Sequence, residues 1–128
     1  MTGVQTCALP IYSVIHLAGA NVGERWTPEH KRSILASRQK GTRLIVKALV
    51  GMAEPAEALI SASAVGFYGD TGSMVLDDTS PIGHDFLAGV TKIWEEETRP
   101  ADGAGIRVAV ARTGVVLSPA GGDRKSVV

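Results

Sequence analysis

The sequence predicts an α/β fold: a three-layer arrangement in which the central part of a parallel sheet, with strands near 13–18, 58–63 and 106–112, is flanked by helices. Three observations carry this expectation. Short β-prone runs alternate with amphipathic helical stretches, each run stops in small or polar residues, and the spacing is that of a strand–helix–strand unit. Such a unit has parallel strands and a right-handed crossover.

Length and composition bound what the fold does. A chain of 128 residues forms one domain at most and is long enough to bury a core. Hydrophobic residues make up 45% and charged ones 20%, a globular balance. The 13 basic residues are matched by 13 acidic ones, so no broad basic face favours nucleic acid or anionic lipid. The apolar runs are too short for a membrane span. The expected partner is therefore a small molecule, with no nucleic acid and no membrane, and the expected compartment is the cytoplasm.

In chain order, Ser13-Val14-Ile15-His16-Leu17-Ala18 is the first strand, bounded by Gly19, Asn21 and Gly23. His16, alone inside an apolar strand, reads as a satisfied core residue. Thr27-Pro28-Glu29 is a helix start, with a hydroxyl N-cap, proline at the first helical position and an acid in the first turn. Ile34, Leu35, Ile45, Val46 and Leu49 form the apolar stripe of the helix that follows, interrupted by Arg38, Gly41 and Thr42. The interruption means either close helix packing at Gly41 or polar groups aimed at a site. Gly51 and Pro55 end the helix.

Ala58 to Gly69, ALISASAVGFYG, reads as a buried central strand that stops in small hydroxyl residues. Ser61 and Ser63 can hydrogen-bond, and Gly66 and Gly69 permit turns and a close backbone approach. The polar stretch from Gly69 to His84 is too long for a routine connection and has the length of a functional loop. Asp85 caps a helix with Phe86, Leu87, Val90, Ile93 and Trp94 inward and Glu95, Glu96 and Glu97 outward, closed by Gly103 and Gly105. Ile106 to Ala111 is the third strand, ending at Arg112-Thr113-Gly114.

Three strands thus end in Ala18-Gly19-Ala20, Ser61-Ala62-Ser63 and Arg112-Thr113-Gly114. In a parallel sheet these ends lie along one edge, which is where open α/β sheets bind ligands.

Both termini read as foreign to this pattern. Residues 1–11, MTGVQTCALPI, and residues 123–128, DRKSVV, resemble translations of a short-read sequencing adapter. The expected natural segment is 12–122, with 1–11 and 123–128 adapter-derived. The lone cysteine, Cys7, falls in the first of these, so disulfides and thiolate metal sites are not expected in 12–122.

In order and spacing, Val14-Ile15-His16-Leu17-Ala18-Gly19-Ala20-Asn21, Arg25-Trp26-Thr27, Ile60 to Gly69 and Ala111 to Pro119 resemble the atypical extended short-chain dehydrogenase/reductases of the NAD-dependent epimerase/dehydratase superfamily, in its "epimerase family protein" subgroup. The resemblance implies a Rossmann-like fold whose parent protein binds NADP or NAD. It implies that Ala18, Gly19 and Ala20 lie beside the cofactor's ribose, with Ser61, Ala62 and Ser63 near the nicotinamide end. It places Arg112, Thr113, Gly114 and Val115 along the carboxamide, and it makes Ser63 the catalytic serine and the long loop a wall of the substrate side.

The chain departs from the family pattern in three ways. The Gly-rich phosphate-binding turn, G-x-x-G-x-x-G, is expected to be missing, as if the part of the gene preceding Tyr12 were cut away. The Tyr-x-x-x-Lys acid/base pair falls on Leu87 and Thr91, with Lys92 one residue off. The serine position falls on either Ser63 or Ala64. A hydrolase elbow needs Gly-x-Ser-x-Gly, whereas Ser61 and Val65 occupy the glycine positions around Ser63. Two readings stay open: an oxidoreductase acting on an unidentified small molecule, or a non-catalytic NAD(P)-binding sensor or scaffold.

Overall fold

A computed structural model describes residues 10–122. The adapter-derived segments expected at 1–11 and 123–128 therefore lie outside the described residues, Pro10 and Ile11 excepted. The elements are β1 (Ser13–His16), α1 (Pro28–Val50), β2 (Ala58–Ala64), a 3-10 turn (Val65–Tyr68), α2 (Phe86–Glu96), α3 (Arg99–Gly103) and β3 (Arg107–Thr113). A two-residue antiparallel pair, β4 (Leu117–Ser118) with β5 (Gly121–Gly122), follows.

β1, β2 and β3 form one sheet in that order, and both pairings are parallel as expected. Ser13 lies opposite Ala58 and Ala58 opposite Arg107, which brings Ser63 level with Arg112 and Ala64 level with Thr113. β1 is two residues shorter than expected, while β2 and β3 run further, to Ala64 and Thr113. That extension puts Ala64 and Thr113 inside their strands.

The caps act as their residue types dictate. Thr27 Oγ1 accepts from His30 N at 3.1 Å, Asp85 Oδ1 accepts from Ala88 N at 2.8 Å, and Gly51 caps the end of α1. The single helix expected over 85–103 is instead broken into α2 and α3, because Pro100 cannot continue the α2 hydrogen-bond ladder and sits in the first turn of α3.

One face of the sheet is covered. Val46 and Leu49 of α1, Ala101 of α3, Ala56 and Ile106 pack on Leu59, with Val14 and Val108 beside them. His16 is buried in this layer and shares a 3.0 Å hydrogen bond with Thr42 Oγ1, and burial lowers its pKa, so it is the core residue the sequence suggests. The opposite face carries Ile15, Ile60, Ala109 and Ala111, with Ile15 66% exposed. Of the three layers expected, the described residues supply the sheet and one helical layer.

Gly41 was one of two explanations for the interrupted α1 stripe. A Cβ built there meets nothing within 4 Å, so close packing is not its reason. The polar groups are: Thr42 holds His16, and Arg38 faces the strand ends.

Candidate functional site

The ends of β2 and β3 and the segment that follows β1 meet at a cavity of about 450 Å³. Val22 and Trp26 come from the segment after β1, Ala64 from the end of β2, and Thr113, Gly114 and Val115 from the end of β3; Leu87, Val90, Thr91 and Trp94 of α2 and Arg38 of α1 close it. Trp26 is held by donating Nε1–H to Val22 O at 2.8 Å and packs edge-on against Phe86, with ring centres 5.4 Å apart. A larger hollow of about 550 Å³ lies on the free side of β3, between Val110, Arg112 and Leu76–Asp78 of the long loop. Among the described residues the cavity at Ala64 and Thr113 draws on the segments that follow all three strands, so it is the site that the parallel sheet builds.

The sequence-derived residues divide by strand parity, since successive side chains point to opposite faces. Thr113, Gly114 and Val115 line the cavity, as does Ala64. Ser61 and Ser63 lie on the helix-covered face and are 1% and 2% exposed. Ala62, like Ala64, is on the other face. Ala18, Gly19 and Ala20 adjoin the site through Arg38: its guanidinium donates to Ala20 O at 3.1 Å, and Ala20 N donates to Ser37 Oγ at 2.9 Å. A Cβ on Gly19 would come 2.9 Å from Arg38 Cζ, so a bare backbone is what lets the guanidinium lie there.

Ser63 and Arg112 belong to a separate polar network beneath β2. Ser63 Oγ donates to Glu95 Oε1 at 2.7 Å. Arg112 donates from Nε and Nη2 to the two oxygens of Glu95 at 2.8 Å each, and from Nη1 to Tyr68 Oη at 2.9 Å. Its guanidinium also stacks 3.5 Å from the Phe67 ring centre. Burial pulls the Glu95 carboxyl upward, but the hydrogen bonds from Arg112 and Ser63 and the Arg112 charge outweigh it and hold the pKa below the ordinary carboxylate range. Donating to Glu95 raises that of Arg112.

Glu95 therefore does not face outward as the helical reading had it. It completes this network, and only Glu96 of the three acids is fully exposed, since Glu97 pairs with Arg43 through Nε at 3.0 Å. The signal that locates Glu95 is its spacing: Leu87, Thr91 and Glu95 follow at i, i+4 and i+8 along one face of α2.

Leu87 and Thr91, which stand where the tyrosine and lysine were sought, both line the cavity. Leu87 has no proton to give. Thr91 donates its hydroxyl back to Leu87 O at 2.9 Å and Ala88 O at 3.0 Å, which spends it on its own helix. Trp94 is the opposite case: it is 5% exposed and its Nε1–H has no acceptor among the described residues.

The bare spacing G-x-x-G-x-x-G occurs once in the chain, at Gly66, Gly69 and Gly72. These glycines are not a phosphate-binding turn. Gly69 and Gly72 take φ of 69° and 60° inside a loop, and no helix begins until Phe86. The loop is closed at its base, where Gly83 N donates to Phe67 O at 2.8 Å and a Cβ on Gly83 would come 2.6 Å from Tyr68 O. At its tip, Asp77 Oδ1 accepts from Thr79 N, Thr79 Oγ1 and Ser80 Oγ, and the hydrogen bonds from Thr79, the largest influence, lower its pKa.

Fold and site together define the class: a Rossmann-like α/β protein with its site at the carboxyl edge of a parallel sheet. No protein-family profile matches the chain. An epimerase family protein of Mycobacterium bovis is 45% identical over 113 residues, which are 86% of this chain and 36% of that protein. The structure of a nucleoside-diphosphate sugar epimerase from Corynebacterium glutamicum superposes with a TM-score of 0.76 at 41% identity, covering 91% of this chain and 24% of that one. The human epimerase family protein, solved with NADPH, superposes with a TM-score of 0.80 at 31% identity, covering 91% of this chain and 41% of that one. Over nearly its whole length the chain is similar to part of these epimerase family proteins. It spans about a third of the length of the curated relatives it matches.

Proposed function

We propose that residues 12–122 are part of a dinucleotide-binding domain and that the strand-end cavity receives the nicotinamide end of NADPH or NADH. The convergence of the ends of β2 and β3 and the segment after β1 on one cavity carries this reading, and the NADPH in the human relative supports it. The residues fit such a group. The cavity combines the apolar walls of Val22, Trp26, Leu87, Val90 and Trp94 with the Arg38 guanidinium, and Gly114 leaves its backbone open, with nothing within 4 Å of where a Cβ would be. In this reading Ala18, Gly19 and Ala20 flank the ribose, Ser61 and Ala62 support the nicotinamide end from within β2 without lining the cavity, and Thr113, Gly114 and Val115 run along the carboxamide, with Arg112 anchoring their strand.

As an oxidoreductase the protein would pass a hydride to or from a carbon bearing a hydroxyl on a small-molecule substrate, with Ser63 hydrogen-bonding the reacting oxygen. That role requires the Ser63 hydroxyl to leave Glu95. A second reading, a protein that holds NAD(P) without turnover, is favoured by Ala64, Leu87 and Thr91, none of which supplies an acid or base to the cavity.

The test is a titration of protein extended to the full length of its relatives with NADPH and with NADH, followed by tryptophan fluorescence. A saturable change is expected with at least one; none with either overturns the proposal. Among the described residues no Gly-rich turn leads into a helix, so the 128-residue chain is expected to bind far more weakly. Ser63→Ala then separates the two readings: a lower kcat at unchanged cofactor affinity supports the catalytic role, and an unchanged rate removes Ser63 from the mechanism.

A further inference from the structure

Two arginines are drawn in from the surface among the described residues. Arg112 is neutralised by both oxygens of Glu95. Arg38 lies on the cavity wall with no carboxylate within ion-pair distance among the described residues. Its Nη1 donates to Ala20 O and Ile34 O at 3.1 and 3.2 Å, while Nε and Nη2 have no protein acceptor among the described residues. The guanidinium is held in place by stacking 4.8 Å over the Trp94 ring, the same residue whose indole N–H is buried without an acceptor. A half-buried cation with no counter-charge is costly, and burial lowers its pKa.

We infer that the substrate taken at this cavity carries an oxyanion, a carboxylate or phosphate group, that pairs with the free edge of Arg38. The apolar part of such a ligand rests between Trp26, Leu87 and Val90. Arg is the residue suited to this task because its planar fork offers two parallel donors to a carboxylate or phosphate. The inference rests on the dinucleotide reading only in treating the oxyanion as the substrate's and not the cofactor's.

The test compares ligands of one shape and different charge. Calorimetric titration of the protein with benzoate, phenyl phosphate and neutral benzamide, with and without NADPH, is expected to show at least one of the two anions binding about tenfold tighter than benzamide. Which of them binds tighter tells carboxylate from phosphate. Arg38→Met is expected to bring the anion-to-benzamide ratio to about one, and Arg38→Lys to retain part of the preference. Benzamide binding as well as both anions, no binding by any of the three, or an anion preference that survives Arg38→Met each overturns the inference. The ligand comparison in the unaltered protein needs no variant to fold. If NADPH fails to bind while the preference depends on Arg38, the inference stands and the dinucleotide reading falls; NADPH binding without an anion preference is the reverse result.

Discussion

Trp94 and Glu95 are adjacent on α2 and face two different environments. Glu95 turns into a network where nearly every donor has an acceptor: Ser63, both edges of Arg112 and Tyr68 are joined through it or through its partner. Trp94 lines the cavity, its buried N–H without an acceptor among the described residues, beside an Arg38 guanidinium whose Nε and Nη2 have none there either. Polar residues at a motif position are therefore not by themselves a site. The satisfied set fastens β2, β3 and α2 together, and the unsatisfied set is where a ligand has something to complete.

This contrast predicts opposite outcomes at neighbouring positions. Glu95→Gln is expected to give the largest loss, about 3 kcal/mol, because it strands the partly buried Arg112 charge beside Ser63. Urea unfolding checks it, and a midpoint unchanged from the parent would mean that the network does not hold the layers together. The acid limb of stability sharpens the same point. The folded-state pKa of Glu95 is depressed, so its contribution is fully present above the unfolded value of about 4.3 and is lost as pH falls through the lower folded value. Thermal melts from neutral to acid pH are expected to fall less steeply in Glu95→Gln than in the parent.

Gly41→Ala is expected to stabilise by about 0.5–1 kcal/mol, since a mid-helix glycine with free space around its Cβ position costs backbone entropy and gains no packing. A loss in the same unfolding experiment would show a contact at Gly41 outside the described residues. The smallest effect is expected for Trp94→Phe. Removing an orphaned N–H offsets the lost ring volume, leaving the midpoint within about 1 kcal/mol of the parent.

The elements that local chemistry specifies were legible in the sequence. Thr27-Pro28 and Asp85 announced their helices, and the three β-prone runs paired in parallel as their spacing required. The site was half legible. Strand ends point to an edge of the sheet, and Thr113, Gly114 and Val115 do line a cavity there. What could not be read was which face each β2 side chain takes, because Leu59 and Ile60 are adjacent and of equal size and Ser61–Ala64 alternates small residues, so no hydrophobic pattern fixes the parity. Hence Ser63 attracted attention that the cavity gives to Ala64. Glu95 was hidden for a related reason: three consecutive glutamates look like one solvated face, yet successive residues on a helix point about 100° apart, and only their partners decide which turns inward.

The clasp at the base of the long loop has a consequence for how its length can change. Gly83 fastened to Phe67 fixes where the loop leaves and rejoins the protein, independently of the residues between them. Extending a flexible loop between fixed ends costs entropy only logarithmically, about 0.6 kcal/mol for each doubling. Residues 70–82 are therefore the part of the chain where segments can be inserted or exchanged at small thermodynamic cost, so long as the glycine at the clasp is kept.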